Sequence, residues 1–284
     1  MDPTNSSPAA MNKWPAFWVA GISAFMATLD SSIVNVALPT LSAEFDAHVA
    51  LVSWVVQSYL LVTMAFLLVG GRLLNTWGPR KLFVVGFVLF TVGSGVCAAS
   101  FSIYMLILAR AFQGLGAAVL MSANQGLIAL SFPAGQRGRA LGMIVTIVSI
   151  GLASGPPLGG LLIDMLGWRS IFYINVPIGG LAVLYCLKHL SRTARRVSGF
   201  DLPGAALIVI GLSVLFLGLD RGAARGWDDT LVATLIGASL ILLVCFIMNE
   251  LRSPFPLLNL FLFRNRYFTQ SCAAAFLAFF SMIS

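Results

Sequence analysis

The sequence predicts an all-α, polytopic helical membrane protein. Three observations carry that prediction. Of 284 residues, 59% are hydrophobic and only 10% are charged, whereas a soluble domain carries about 25% charged residues. The mean hydropathy is +0.94. Apolar segments of about 20 residues, long enough to cross a bilayer, recur between short loops.

The elements follow in order. Residues 1–13 form a polar tail containing one basic residue, Lys13. No short apolar core with a cleavage site follows, so no removable leader is expected. The first spanning segment covers 15–38 and carries Asp30 in its interior. The second, 51–74, runs into Gly71-Arg72-Leu73-Leu74-Asn75-Thr76-Trp77-Gly78-Pro79-Arg80-Lys81, where Gly78 and Pro79 predict a tight turn. The third is 82–100. The fourth, 103–130, holds Arg110 and, on the same helix face, Gln113.

The fifth segment, 141–166, contains Gly151-Leu152-Ala153-Ser154-Gly155-Pro156-Pro157-Leu158-Gly159-Gly160. Glycines four apart clear one helix face for close approach of another backbone. Two interior prolines remove backbone donors, which a membrane helix tolerates only where neighbours or water satisfy the freed carbonyls. This stretch is expected to be a bent, tightly packed seam. The sixth segment is 170–190. A polar, basic linker at 191–201 follows, then segments at 202–219 and 231–249, and the start of a ninth near Phe268 that reaches Ser284. The expected organisation is a tail at 1–13, a six-helix bundle at 14–190, the linker at 191–201, two inserted helices at 202–250, and a further linker with the start of a second half at 251–284.

Lys and Arg set the orientation. With the N-terminus cytoplasmic, thirteen of the 17 Lys and Arg lie at inner ends: Lys13, Arg72, Arg80, Lys81, Arg137, Arg139, Lys188, Arg192, Arg195, Arg196, Arg252, Arg264 and Arg266. Outer loops hold Arg169, Arg221 and Arg225, and Arg110 is within a helix. This asymmetry predicts a cytoplasmic N-terminus. It also accounts for the net charge of +7 without any nucleic-acid partner.

Asp30 and Arg110 are the ionisable residues within the hydrocarbon. From the helical rise, Asp30 lies roughly 20 Å in from the cytoplasmic face and Arg110 roughly 10 Å below the outer face, depths that agree within about 5 Å. A carboxylate and a guanidinium at one depth point to a shared cavity, and such residues mark ion or substrate pathways. The alternatives are a static buried ion pair or an Asp30 bonded only to local backbone. Gln113, Gln57 and Asn35 are assigned to a substrate cavity, with a packing role as the alternative for Gln113.

Enzyme chemistry finds no support. His48 and His189 lie in loops on opposite sides. Glu44, Asp46 and His48 are read as a solvated loop rather than metal ligands. There is no phosphate-binding loop or nucleophile elbow, and no metal or cofactor is expected. Cys97, Cys186, Cys245 and Cys272 match neither a zinc site nor a disulfide framework; they are expected to be small buried hydrophobes.

The motifs together resemble the Major Facilitator Superfamily, specifically its drug:proton antiporters with fourteen spanning helices. Leu29-Asp30-Ser31-Ser32-Ile33-Val34-Asn35-Val36-Ala37-Leu38-Pro39 resembles that group's first-helix motif. Gly71 to Lys81 resembles the superfamily's loop motif, and Leu108 to Gly114 its fourth-helix motif. Gly151 to Gly160 resembles the antiporter motif of the fifth helix. Trp168-Arg169-Ser170-Ile171-Phe172-Tyr173-Ile174-Asn175-Val176-Pro177-Ile178-Gly179 is similar to a stretch typical of the fourteen-helix branch. The match covers nearly the whole chain from Trp14.

The resemblance implies a fold of one six-helix N-terminal half, two linker helices and part of a ninth. It implies proton-driven efflux of drug-like amphipathic molecules across the bacterial inner membrane. Asp30 and Arg110 would couple protons. Gly151, Gly155, Pro156, Gly159 and Gly160 would form the hinge and seal, and Gly71, Asn75, Gly78 and Arg80 the cytoplasmic loop motif. Partners would be a drug-like small molecule, protons and the lipid bilayer. Two departures stand out. Asn75 replaces an aspartate usual in the loop motif. The chain is also about three-fifths of a usual member, so it is expected to be truncated at its C-terminus. The alternative to a working exporter is a non-transporting fragment or a half-transporter that needs a complementary chain.

Overall fold

Among the described residues of the computed structural model, eight helical segments are long and apolar enough to span a membrane, and the chain is a multi-pass membrane protein. The structure describes residues 13–191 and 199–283; the side chains of Asn75, Ala275 and 278–283 fall outside the description, as do residues 1–12 of the tail and 192–198 of the linker. In chain order the helices are α1 (Lys13–Glu44), α2 (Val49–Val52), α3 (Trp54–Trp77), α4 (Pro79–Ala98), α5 (Ile103–Ser131), α6 (Ala134–Leu166), α7 (Ser170–Tyr173), α8 (Asn175–His189), α9 (Leu202–Arg225), α10 (Thr230–Arg252) and α11 (Arg266–Ile283), with a short 3₁₀ turn at Leu260–Arg264. No strand occurs among the described residues.

Local chemistry sets the ends. Gly78 adopts φ 76° at the end of α3, and Pro79 opens α4 in the first-turn position where its missing N–H costs nothing. Ser102 caps α5 by accepting the Met105 amide at 3.2 Å. Asp201 and Asp229 cap α9 and α10 through the amides of Gly204 and Leu231, both at 2.9 Å. α6 begins seven residues before the segment expected at 141–166. Its first two turns carry Gln136, Arg137 and Arg139, so a hydropathy criterion does not detect them although the backbone is already helical. α1 likewise continues through Pro39 to Glu44.

The chain divides by its contacts into two units, Met1–Ser198 and Gly199–Ser284. In the first, α5 is central and packs on α3, α4 and α1; α1 also runs along α6, and α4 along α8. In the second, α9 and α10 pair.

The first unit has two apolar clusters. One gathers Phe17, Met26, Phe83, Phe87, Phe90, Leu120 and Leu127. The other gathers Ile33, Leu41, Val52, Leu106, Trp168 and Phe172. Along α1 the passage from one to the other occurs at Asp30, and along α5 at Arg110.

Two of the four cysteines depart from expectation. Cys97 and Cys186 are buried, whereas Cys245 and Cys272 are exposed. A free thiol is compatible with either setting, since it behaves as a small hydrophobe.

Candidate functional site

The helical rise places Asp30 and Arg110 at one level, and the structure brings them into contact. Both are fully buried, at 0% exposure. Arg110 Nη1 donates to Asp30 Oδ2 at 2.5 Å. A buried ion pair is stable only when further hydrogen bonds satisfy the remaining lone pairs and protons. Here those bonds come from other helices. Gln113 Nε2 donates to Asp30 Oδ1 at 2.9 Å, and Asn175 Nδ2 from α8 donates to the same oxygen at 3.0 Å. Arg110 Nη1 also donates to Gln113 Oε1 at 2.7 Å, and Arg110 Nε to the Val55 carbonyl at 3.0 Å. Gln113 is held at its far end by Ser94 Oγ on α4, 2.7 Å away.

Two polar atoms of this buried core have no hydrogen-bond partner among the described residues: Arg110 Nη2 and Asn175 Oδ1. The tight approach of α4 to α5 at this level depends on Gly93, where a Cβ would lie 2.7 Å from the Gln113 Cα.

Tyr59 connects this core to open space. The Arg110 guanidinium carbon lies 4.1 Å from the centre of its ring, a cation–π distance. Its hydroxyl donates a long bond of 3.4 Å to the Ala27 carbonyl. The same residue lines a pocket of about 280 Å³ together with Thr28, Thr63, Met64, Met121 and Leu152. Tyr59 therefore stands between an apolar pocket and the ion pair.

Gln113, Gln57 and Asn35 occupy three different settings. Gln113 is 0% exposed and faces the ion pair. Gln57 is half-buried on α3, and Asn35 is exposed on α1 and donates to the Ser31 carbonyl of its own helix at 3.2 Å. The walls of the 280 Å³ pocket include none of the three.

The glycine-proline stretch forms the α1–α6 contact. Gly151, Gly155 and Gly159 are buried, whereas Pro156 and Pro157 are exposed. A Cβ on Gly155 would run into the Ser32 side chain and come within 3.1 Å of the Ile33 amide nitrogen. Gly160 has open space beside it. α6 runs unbroken through both prolines. Pro156 has no N–H for the Leu152 carbonyl, and Ser32 Oγ from α1 donates to that carbonyl at 2.8 Å instead. A hydroxyl from the neighbouring helix thus replaces the missing backbone donor, as such a helix requires.

Near the α3–α4 turn, Gly71 has open space beside it, Arg80 is half-buried, and the Lys81 ammonium lies 4.8 Å from the Trp77 ring centre. Asn75 lies in α3, with its side chain outside those described. At the other end of the bundle Arg169 pairs with Glu44 at 3.5 Å and donates to the Ser100 carbonyl at 3.2 Å. Among the described residues no His, Cys, Asp and Glu cluster could hold a metal ion.

Sequence reasoning missed Asn175, Ser94 and Tyr59 as partners of the pair. The signal that singled out Asp30, a polar side chain inside an apolar segment, applies to Asn175 and Ser94 as well. It is weaker at those positions because neutral polar residues carry a smaller penalty in lipid than charges do.

The riboflavin transporter RibZ of Clostridioides difficile is 35% identical over 260 residues, covering 90% of this chain and 56% of RibZ. The multidrug resistance protein Stp of Mycobacterium tuberculosis is 36% identical, covering 92% of this chain and 49% of Stp. The methylenomycin A resistance protein of Bacillus subtilis is 34% identical, with 92% and 56% covered. The chain thus spans about half the length of the curated relatives it matches. Among solved structures, the peptide transporter POT in complex with sulfate superposes with a TM-score of 0.63 at 15% identity, over 87% of this chain and 55% of POT. The proton:xylose symporter XylE superposes at 0.57 and 14%, over 84% and 54%. These distant structures share the fold. The sequence model of the Major Facilitator Superfamily matches residues 20–284, and the chain belongs to that family.

Proposed function

We propose that this chain serves proton-coupled export of drug-like amphipathic molecules. The observation that carries the reading is a fully buried Asp30–Arg110 pair separated from an apolar pocket by one tyrosine ring. The names of two relatives, a multidrug resistance protein and an antibiotic resistance protein, support a drug-like substrate.

In this reading the N-terminus is cytoplasmic and the membrane is the bacterial inner membrane. The thirteen inner basic residues support the orientation. A proton arriving from outside neutralises Asp30 as substrate leaves. Arg110 then lacks its counter-charge, an arrangement of high energy in a dry interior. Release of the proton inward restores the pair and permits the next substrate to bind. A cationic substrate and a proton compete for one carboxylate. Gly151, Gly155 and Gly159 allow α6 to slide or rock on α1, with Pro156 and Gly160 on its open side. Transporters of this type enclose their substrate between two bundles, so a complementary bundle completes the site opposite α1 and α6.

The test is tetraphenylphosphonium binding to the purified chain in detergent as the pH is lowered. Wild type loses affinity as a proton takes the Asp30 carboxylate from the cation, whereas Asp30→Asn binds weakly and without pH dependence. Equal pH dependence in the two proteins overturns the proposal. In a complete homologue the matching substitution abolishes efflux driven by a pH gradient, and wild-type efflux by that variant overturns it equally.

A further inference from the structure

We propose that Asn175 accepts the hydrogen bond donated by protonated Asp30, by rotation of its side-chain amide. The inference rests on the reading of Asp30 as the protonated group. It adds a residue from α8 that composition and charge do not single out.

The two oxygens of Asp30 are partnered differently. Oδ2 is taken by the Arg110 guanidinium at 2.5 Å. Oδ1 receives two amide N–H groups, from Gln113 at 2.9 Å and Asn175 at 3.0 Å. Every one of these contacts is a donor, so all three suit the carboxylate and none suits the acid. A proton that binds Asp30 goes to Oδ1, because Oδ2 faces a cation. The new O–H is a donor aimed at two donors. In a fully buried site it needs an acceptor, since an unsatisfied buried donor is expensive.

Of the two amides facing Oδ1, only that of Asn175 is at liberty to supply one. Gln113 is fixed at both ends of its amide. Its Oε1 accepts from Arg110 at 2.7 Å and from the Cys97 thiol at 3.6 Å, and its Nε2 also donates to Ser94 Oγ at 2.7 Å. Turning it over would set an NH₂ against the guanidinium, donor against donor. The Asn175 amide is bound on one side alone. Its Nδ2 holds Asp30, and its Oδ1 is buried without a partner among the described residues. Asn175 is 1% exposed, so bulk water does not satisfy that oxygen.

The terminal torsion of asparagine is broad and close to two-fold. A half-turn exchanges Oδ1 for Nδ2 at nearly the same position, so a donor 3.0 Å from Asp30 becomes an acceptor at about that distance. The proton forms an O–H bond on Asp30, and that O–H donates to Asn175 Oδ1. No backbone movement is needed. Each protonation state of Asp30 then has its own hydrogen-bonded partner on α8, while Arg110 alone loses its counter-charge and drives the larger rearrangement. The other titratable groups of this core are Arg110 on α5, Tyr59 on α3 and Cys97 on α4.

The test is an infrared pH titration of the whole 284-residue chain in lipid, with asparagine side-chain carbonyls carrying carbon-13. Asp30→Asn assigns the carboxylic-acid band of Asp30, and Asn175→Leu assigns the Asn175 amide band. In wild type the Asn175 carbonyl band moves to lower wavenumber as the Asp30 acid band grows in, because the oxygen begins to accept a hydrogen bond. In Asn175→Leu the Asp30 acid band moves to higher wavenumber, having lost its acceptor. If the leucine variant does not fold, Asn175→Asp removes the same amide band and serves for assignment. An Asp30 band that appears with no change in the Asn175 carbonyl overturns this inference and leaves the proton reading intact. The absence of any Asp30-dependent acid band across the titration overturns both.

Discussion

Replacing Ser32 by alanine removes the hydroxyl that donates to the Leu152 carbonyl at 2.8 Å. In an ordinary helix the amide of residue 156 would bond that carbonyl, but here it is Pro156. Hydrogen bonds between spanning helices average about 0.6 kcal/mol and reach about 1.7. The Leu152 carbonyl belongs near the top of that range, because its own helix has no substitute donor. Ser32→Ala is therefore expected to cost about 1.5 kcal/mol, roughly tenfold in the unfolding equilibrium. In a Pro156→Ala background the amide at 156 reaches the carbonyl, and removing the Ser32 hydroxyl should cost about 0.5 kcal/mol or less. The difference, a coupling of about 1 kcal/mol, exceeds the 0.3–0.5 kcal/mol scatter of independent sites. Reversible unfolding of the four proteins in mixed micelles, titrated with denaturing detergent, measures it. Additive effects within about 0.3 kcal/mol would show that Ser32 does not stand in for the missing amide.

Three further outcomes follow from the same structure. Gly155→Ala places a Cβ against Ser32 and the α1 backbone and should cost about 1–3 kcal/mol by overpacking, whereas Gly160→Ala, with open space beside it, should stay within about 0.5 kcal/mol; equal unfolding midpoints for the two would refute the seam. Tyr59→Phe keeps the ring beside Arg110 and loses only a 3.4 Å bond, so stability should change by less than about 1 kcal/mol. Tyr59→Ala removes the ring and should cost about 3–5 kcal/mol, with accelerated deuterium exchange at Arg110 visible by infrared spectroscopy. The amide of Leu231 holds the Asp229 carboxyl below the usual aspartate range, with Arg221 adding to the effect. A lowered folded-state value means that the cap is fully present above the ordinary aspartate range and is lost as pH falls through the depressed value. Hydrogen exchange at Leu231 should accelerate only at that acid end, and Asp229→Asn should abolish the dependence.

The spans are visible in the sequence because the hydrocarbon thickness fixes a length and the absence of water forces every backbone group into a helix. What hydropathy does not register is helix beyond the apolar band, which is why α6 reaches back to Ala134 and α9 forward to Arg225. The pairing of Asp30 with Arg110 was within reach because helical rise converts residue number into depth. Gln113 followed from its position one turn from Arg110. Asn175, Ser94 and Tyr59 were not reached, since rise along a helix gives depth but not rotation about its axis or which neighbour it faces. The pocket was likewise out of reach: its lining comes from α1, α3, α5 and α6, and a cavity wall is a property of packed helices rather than of any one segment.

The ligands of Asp30 are spread widely along the chain, which bears on biosynthesis. Arg110 follows it by 80 residues and Asn175 by 145. At a synthesis rate of about 5–20 residues per second, the ribosome reaches the arginine about 4–16 s after the aspartate and the asparagine after about 7–29 s. Throughout that interval the nascent first helix holds a lone acid, which costs about 2.5–3.5 kcal/mol at mid-membrane on the insertion scale. The aliphatic residues around it must offset that cost unaided. Insertion of α1 is therefore the fragile stage of this protein's birth, and a ribosome stalled before codon 110 leaves a half-made chain exposed to membrane quality control.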